Sequence, residues 1–205
     1  MGVISNGTTL LDAGALDSGV ATGSMTLIKT LTASSSGTLS FVDGASSVVF
    51  DGTYKEYVFK FIDIHPATDS ADLTFQVDTG TNTNYNQTIT STVFKAEVNE
   101  AGADSKLVYD TNLDQAQGTA FQQIQHDIGN DADQSAAGTL TIFNPASGTF
   151  VKHFMARSQI YYGGDYALDF FVAGYFNTTT ALTRVQFKMS TGNIDSGTIK
   201  MYGIK

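Results

Sequence analysis

EYVFKFIDI, residues 56–64, sets Tyr57, Phe59 and Phe61 at every second position. Side chains alternate across a β-strand, so these three rings share one face while Val58, Lys60 and Ile62 share the other. A face that is aromatic throughout has to be covered, which makes this stretch one strand of a layered β structure. HPATDSAD, residues 65–72, then reads as a turn: Pro66 holds His65 extended, and Asp and Ser favour local backbone hydrogen bonds.

The same grammar extends in both directions. MTLIKTLTA (25–33) and GTLSFV (37–42) precede it, and DLTFQVD (72–78), QTITSTVFKAEV (87–98), KLVYD (106–110) and AFQQIQHD (120–127) follow. Further on come GTLTIFN (138–144), TFVKHFMARSQIYY (149–162), YALDFFVAGYF (166–176), TRVQFKMS (183–190) and GTIKMYGI (197–204). YALDFFVAGYF is apolar on nearly both faces and is expected to lie centrally or beneath a neighbour. The repeated Gly-Thr entry, at 37, 138 and 197, pairs turn freedom with a residue that favours strands. Its irregular spacing speaks against a solenoid or propeller. The closing GTIKMYGI is expected to insert between or beside other strands. The one stretch with helical potential, DTNLDQAQGTAFQQ (110–123), is interrupted by Gly118 and Thr119, leaving a turn of helix at most.

Short strands with no intervening helices predict an all-β fold, a jelly-roll-like antiparallel β-sandwich over residues 25–205. Residues 1–24, rich in Gly, Ser, Thr and Ala, follow neither a helical nor a strand period. They read as an extended N-terminal arm that docks on its own body or on a neighbouring subunit.

Composition narrows the function. At 205 residues with 14 Phe and 9 Tyr, the chain can fill a single core. Its net charge of −9 would repel a phosphate backbone and an anionic leaflet, so neither nucleic acid nor membrane insertion is expected. With no Cys there are no disulfides and no thiolate metal sites. The N-terminus has no basic start and no long apolar run, which predicts synthesis in a cytoplasm without a cleaved signal.

Local signatures of chemistry are sparse. His65, His126 and His153 are far apart, and neither a Gly-x-Ser-x-Gly elbow nor a phosphate-cradling Gly-Lys-Ser/Thr is present. No catalytic residue and no cofactor are therefore expected. HDIGNDADQS (126–135) gathers Asp127, Asn130, Asp131 and Asp133, oxygen ligands suited to Ca²⁺, although their spacing fails the calcium-hand template and also fits a solvated acidic loop. In QIYYGGDYALDFF (159–171), Tyr161, Tyr162 and Tyr166 beside Gly163 and Gly164 could offer a shelf for a sugar ring; core or interface packing accounts for the same rings.

The phrases ISNGTTLLDAG, SFVDGASSVVFDGTYKEYVFKFIDIHPATD, FNPASGTFVKHFMA and VAGYFNTTTALTRVQFKMSTGNIDSGTIKMYGIK resemble small virion-associated structural proteins of tailed phages, especially marine ones. The closing GNIDSGTIKMYGIK also resembles the last strand of jelly-roll modules at fibre tips and in head-decorating proteins. The resemblance implies a location in the virion after synthesis in the host bacterial cytoplasm, and a homotrimer that contacts major capsid or tail proteins. Three readings follow: a capsid decoration or cement protein docked by its arm, a tail-fibre tip that binds a host-surface glycan, and, last, a glycan depolymerase.

Overall fold

Every regular element of the described residues, 3–5, 8–12, 15–16 and 24–205 of this computed structural model, is a β-strand. β1 (Val3–Ser5), β2 (Thr8–Asp12) and β3 (Ala15–Leu16) pair antiparallel as a small separate sheet. Where they are described, residues 1–24 form a three-stranded antiparallel meander. Residues 1–2, 6–7, 13–14 and 17–23 lie outside the described residues, and the docking role expected of residues 1–24 falls partly on them.

Thirteen strands follow: β4 (Met25–Thr32), β5 (Leu39–Val42), β6 (Glu56–Pro66), β7 (Ala71–Thr79), β8 (Ile89–Asn99), β9 (Ser105–Tyr109), β10 (Ala116–Gly118), β11 (Gln122–Ile128), β12 (Ala136–Phe143), β13 (Lys152–Tyr162), β14 (Tyr166–Phe176), β15 (Leu182–Met189) and β16 (Ile194–Ile204). Eight of them make two facing layers, ordered β4-β16-β6-β12 and β5-β15-β7-β11, with antiparallel neighbours throughout. The chain changes layer at each step between these eight, except from β7 to its neighbour β11. That winding is a jelly roll.

The remaining five strands enlarge the first layer. The hairpin β13-β14 continues from β12, and β8 continues from β14 with β9 and β10 on its far side. YALDFFVAGYF is accordingly central, as β14 between β13 and β8. The segment with helical potential contributes β10 and turns. β6 runs on to Pro66, so the turn expected from His65 begins a little later.

The two layers are held by the rings that the opening stretch points to. Tyr57 and Phe59 are fully buried and Phe61 nearly so. Phe59 meets Phe41 of the opposite layer edge-on at 5.2 Å between centroids, and Phe61 meets Phe187 at 5.4 Å. Phe187 also contacts Phe59 and Phe75, and Phe75 contacts Phe154 and Phe176, so one aromatic chain spans the core.

β16 lies between β4 and β6, the insertion expected of the closing strand. Its Gly197 has φ +119, and a Cβ there would sit 2.6 Å from the Asp63 carbonyl oxygen and 2.9 Å from Ile64 Cα. Both neighbours are backbone, so only glycine lets β16 approach β6 this closely.

Candidate functional site

β11 and β7 do not pair smoothly: the ladder slips between Gln123 and Gln125 and again between Gln125 and Ile128, with Asp127 at φ +50. In a regular strand the consecutive residues His126 and Asp127 would face opposite ways. This bulge re-aims them into one hollow. His126 Nε2 lies 3.2 Å from Asp127 Oδ2, and His126 Nδ1 lies 2.9 Å from Oδ1 of Asp72, which stands on β7.

Asp72 is itself tightly held. Its Oδ1 also accepts the Asp127 backbone N–H at 2.9 Å, its Oδ2 accepts Gln123 Nε2 at 2.9 Å, and its own N–H donates to Ser190 Oγ at 2.9 Å. The His126 ring stacks on Phe170 of β14 at 5.7 Å, which fixes its plane. Burial pushes the Asp127 carboxyl above its ordinary range, with the facing His126 acting in the opposite sense.

His126 and Asp127, with Asp72 behind them, form one wall of a pocket of about 200 Å³ at the corner where β11 approaches the enlarged layer. Lys95 and Glu97 of β8, Lys106 of β9, and Tyr162, Tyr166 and Leu168 of β13-β14 form the rest. Lys106 Nζ lies 2.6 Å from Glu97, and Lys95 Nζ lies 3.3 Å from Asp110, so each ammonium already has a carboxylate partner. A second, more open hollow of about 210 Å³ lies beside it, lined by Glu100, Asp133, Ser135, Gln159, Tyr161, Tyr166 and Ala167. There Tyr161 Oη donates to Glu100 Oε1 at 3.1 Å, and that bond pushes the phenol up to about 12.

The sequence places Tyr161, Tyr162 and Tyr166 together, and the structure divides them. Tyr162 and Tyr166 are cross-strand partners, with ring centroids 5.5 Å apart, at the first pocket. Tyr161 follows strand alternation to the opposite face and meets only Tyr166, at the second hollow. Asp127, Asp131 and Asp133 are divided too. Asp127 joins Asp72 and His126, Asp131 is exposed in a turn, and Asp133 lines the second hollow. Asn130 is exposed, with its backbone N–H 3.3 Å from Asp69 Oδ1.

Among the described residues, Asp72, His126 and Asp127 are the one group of three or more His, Cys, Asp or Glu side chains placed closely enough to share an ion. Sequence reasoning omits Asp72, sets His126 apart as an isolated histidine and groups Asp127 with Asn130, Asp131 and Asp133 instead. The other two histidines stay apart from the site: His65 Nδ1 lies 2.7 Å from the Gln134 carbonyl oxygen, and His153 is exposed beside Tyr175.

A different kind of surface lies on the outer face of the same added strands. Tyr109, Phe94 and Phe171 stand side by side across β9, β8 and β14, with Phe94 and Phe171 stacked at 4.5 Å and nearly parallel. Leu107 is 72% exposed and Met155 59%, with Val98 and Tyr109 also exposed. The charges at the centre of this face satisfy each other: Arg157 donates to Asp169 through Nε at 3.1 Å and Nη2 at 2.8 Å, and its guanidinium lies over Phe171.

Comparison with known proteins finds no family model that matches the chain and no curated protein that matches it. Among the described residues, no helix is long and apolar enough to cross a membrane.

Proposed function

We propose that this chain is a non-enzymatic structural protein of a tailed-phage particle, one that self-associates as a homotrimer and docks on the shell as a decoration or cement protein. The observation that supports this reading is the outer face of β9-β8-β14-β13. Exposed Leu107, Met155, Val98, Phe94 and Tyr109 gather on one side of strands that an eight-stranded jelly roll does not need. Large exposed apolar patches mark interaction surfaces. Burying a Leu, Met or Phe side chain contributes about 1.5–3 kcal/mol, and the Arg157–Asp169 pair can enter an interface without leaving an unpaired charge.

The partners in this reading are further copies of the chain and the major capsid or tail proteins, and the location is the virion. The phage assignment rests on the sequence phrases quoted above. Light scattering of the full chain tests the assembly. The expected mass is three times that of the chain, falling to one in the double variant Leu107→Asp, Met155→Asp; a wild-type chain that stays single at high concentration refutes it. Imaging the parent particle separates a lattice over the shell from a few copies at the tail.

A second reading, a tail-fibre tip that binds a host-surface glycan, is favoured by Tyr162 and Tyr166 beside a pocket rich in hydrogen-bonding groups. Binding on a glycan array that disappears in Tyr166→Ala supports it, and a blank array removes it.

A further inference from the structure

We propose that His126 and Asp127 are ligands of a divalent transition metal, zinc being the ion their chemistry fits best, with Asp72 behind the imidazole as its orienting carboxylate. This inference is independent of the virion reading. It starts from the division of labour between the two imidazole nitrogens. Asp72 Oδ1 at 2.9 Å from Nδ1 is the arrangement in which Nδ1 keeps the proton and donates it, leaving the Nε2 lone pair directed into the pocket. A metal-bound histidine almost always has such a carboxylate, carbonyl or water behind it.

The open side of the ring then meets the second ligand. Nε2 and Asp127 Oδ2 are 3.2 Å apart. Zinc binds imidazole nitrogen at about 2.0–2.1 Å and carboxylate oxygen at about 2.0–2.2 Å, so two ligands on one tetrahedral ion stand roughly 3.4 Å from each other. The pair therefore needs almost no movement to take an ion between them. The bulge at β11 brings these two consecutive side chains together, and the roughly 200 Å³ pocket in front of them has room for water at the remaining positions.

The surroundings fit a cation. Glu97 and Asp127 line the pocket with Asp72 and Asp110 behind it, four carboxylates against the two ammoniums of Lys95 and Lys106, leaving a negative excess whether the imidazole is neutral or charged. Both lysines are already paired with Glu97 or Asp110, so neither has to neutralise Asp127. In addition, Gln123, whose Nε2 holds Asp72, keeps a buried Oε1 that no protein donor reaches. Turning that amide over would set its oxygen against the carboxylate, so the orphaned acceptor belongs to the arrangement that holds Asp72 in place behind the imidazole.

The test is titration of the full chain, after treatment with a chelator, with Zn²⁺ by calorimetry and with Co²⁺ by its visible absorption. One equivalent per chain is expected, with saturation at sub-millimolar metal. His126→Gln and Asp127→Asn should abolish uptake, and Asp72→Asn should weaken it by roughly 10–100-fold. No saturable uptake, or uptake unchanged in His126→Gln and Asp127→Asn, overturns the proposal; the second result would point to adventitious binding at His65 or His153. Imidazole NMR of the wild-type chain makes the test independent of how the variants fold. Zinc should move the His126 Nε2 resonance and leave Nδ1–H in place, and a His126 spectrum unmoved by zinc defeats the proposal by itself.

Discussion

Phe187→Ala puts the two-layered core to its hardest test. The ring is fully buried on β15 and touches four others: Phe59 and Phe61 at 5.4 Å, Phe41 at 6.2 Å and Phe75 at 6.3 Å. Truncating a buried Phe to Ala costs about 3–5 kcal/mol, and each aromatic pair adds roughly 0.5–1.5 kcal/mol beyond its buried area. With four pairs severed and neighbours contributed by both layers, the site is poorly able to collapse, and a loss near the upper end, about 5 kcal/mol, is expected. For a chain of this size each kcal/mol lowers the melting temperature by roughly 2–4 °C, which gives a fall of about 10–20 °C. Urea unfolding followed by far-UV circular dichroism measures the loss directly. The matched control is Phe150→Ala, whose ring is 67% exposed and which should change stability by less than about 0.5 kcal/mol. If the two variants prove equally stable, the aromatic chain does not bind the layers together and this account of the core is wrong.

Gly197→Ala should be more damaging than its size suggests, by at least about 2 kcal/mol in the same unfolding assay, because the new Cβ meets the backbone of Asp63 and Ile64 at a φ that L residues avoid; a neutral effect would mean that β16 and β6 are further apart than described. Glu100→Gln removes the carboxylate that accepts from Tyr161, so that phenol should titrate below its wild-type value of about 12 in an ultraviolet titration, and an unchanged curve would place its cause elsewhere. Lys152 is fully buried, with Nζ donating to the Ser147 and Phe150 carbonyl oxygens at 2.7 Å each, so Lys152→Met should cost about 1–3 kcal/mol at neutral pH by stranding those acceptors. Burial also lowers the pKa of that ammonium, so in alkali the folded chain releases a proton that the unfolded chain keeps. Wild-type stability then rises with pH between the lowered folded value and the ordinary lysine range. The gap to Lys152→Met should widen across that window, and a gap that narrows would reverse the inferred sign.

The layered fold was legible because its strongest signal is local. Tyr57, Phe59 and Phe61 announce a buried face through period-two spacing alone, and β14 announces its central place by being apolar on both sides. The site was not legible, because what builds it is an exception to that spacing. Reading His126 and Asp127 by alternation sends them to opposite faces; the slip in the β11–β7 ladder sends them to the same one. Asp72 belongs to another strand, and no local motif links it to His126. The tyrosines fail in the converse way: grouped by nearness in sequence, they are separated by the alternation that Tyr161 and Tyr162 obey.

Alternation also explains how two unrelated surfaces share the same added strands. On β8, Lys95 and Glu97 turn inward to the pocket while Phe94 and Val98 turn outward to the apolar face. On β9, Lys106 turns inward while Leu107 and Tyr109 turn outward. Alternate residues of one hairpin therefore line either the pocket or the apolar face, and substitutions chosen by face should perturb one without the other. A one-residue slip in the pairing of β8 would exchange the two sets, putting aromatic rings in the pocket and charges on the contact face. Eleven consecutive β8–β14 register pairs, from Asn99 opposite Tyr166 to Ile89 opposite Phe176, run without a bulge and so oppose that slip. The irregular ladder of β11 and the regular ladder of β8 are thus complementary: the first brings two adjacent side chains into one pocket, and the second keeps the pocket and the contact face apart.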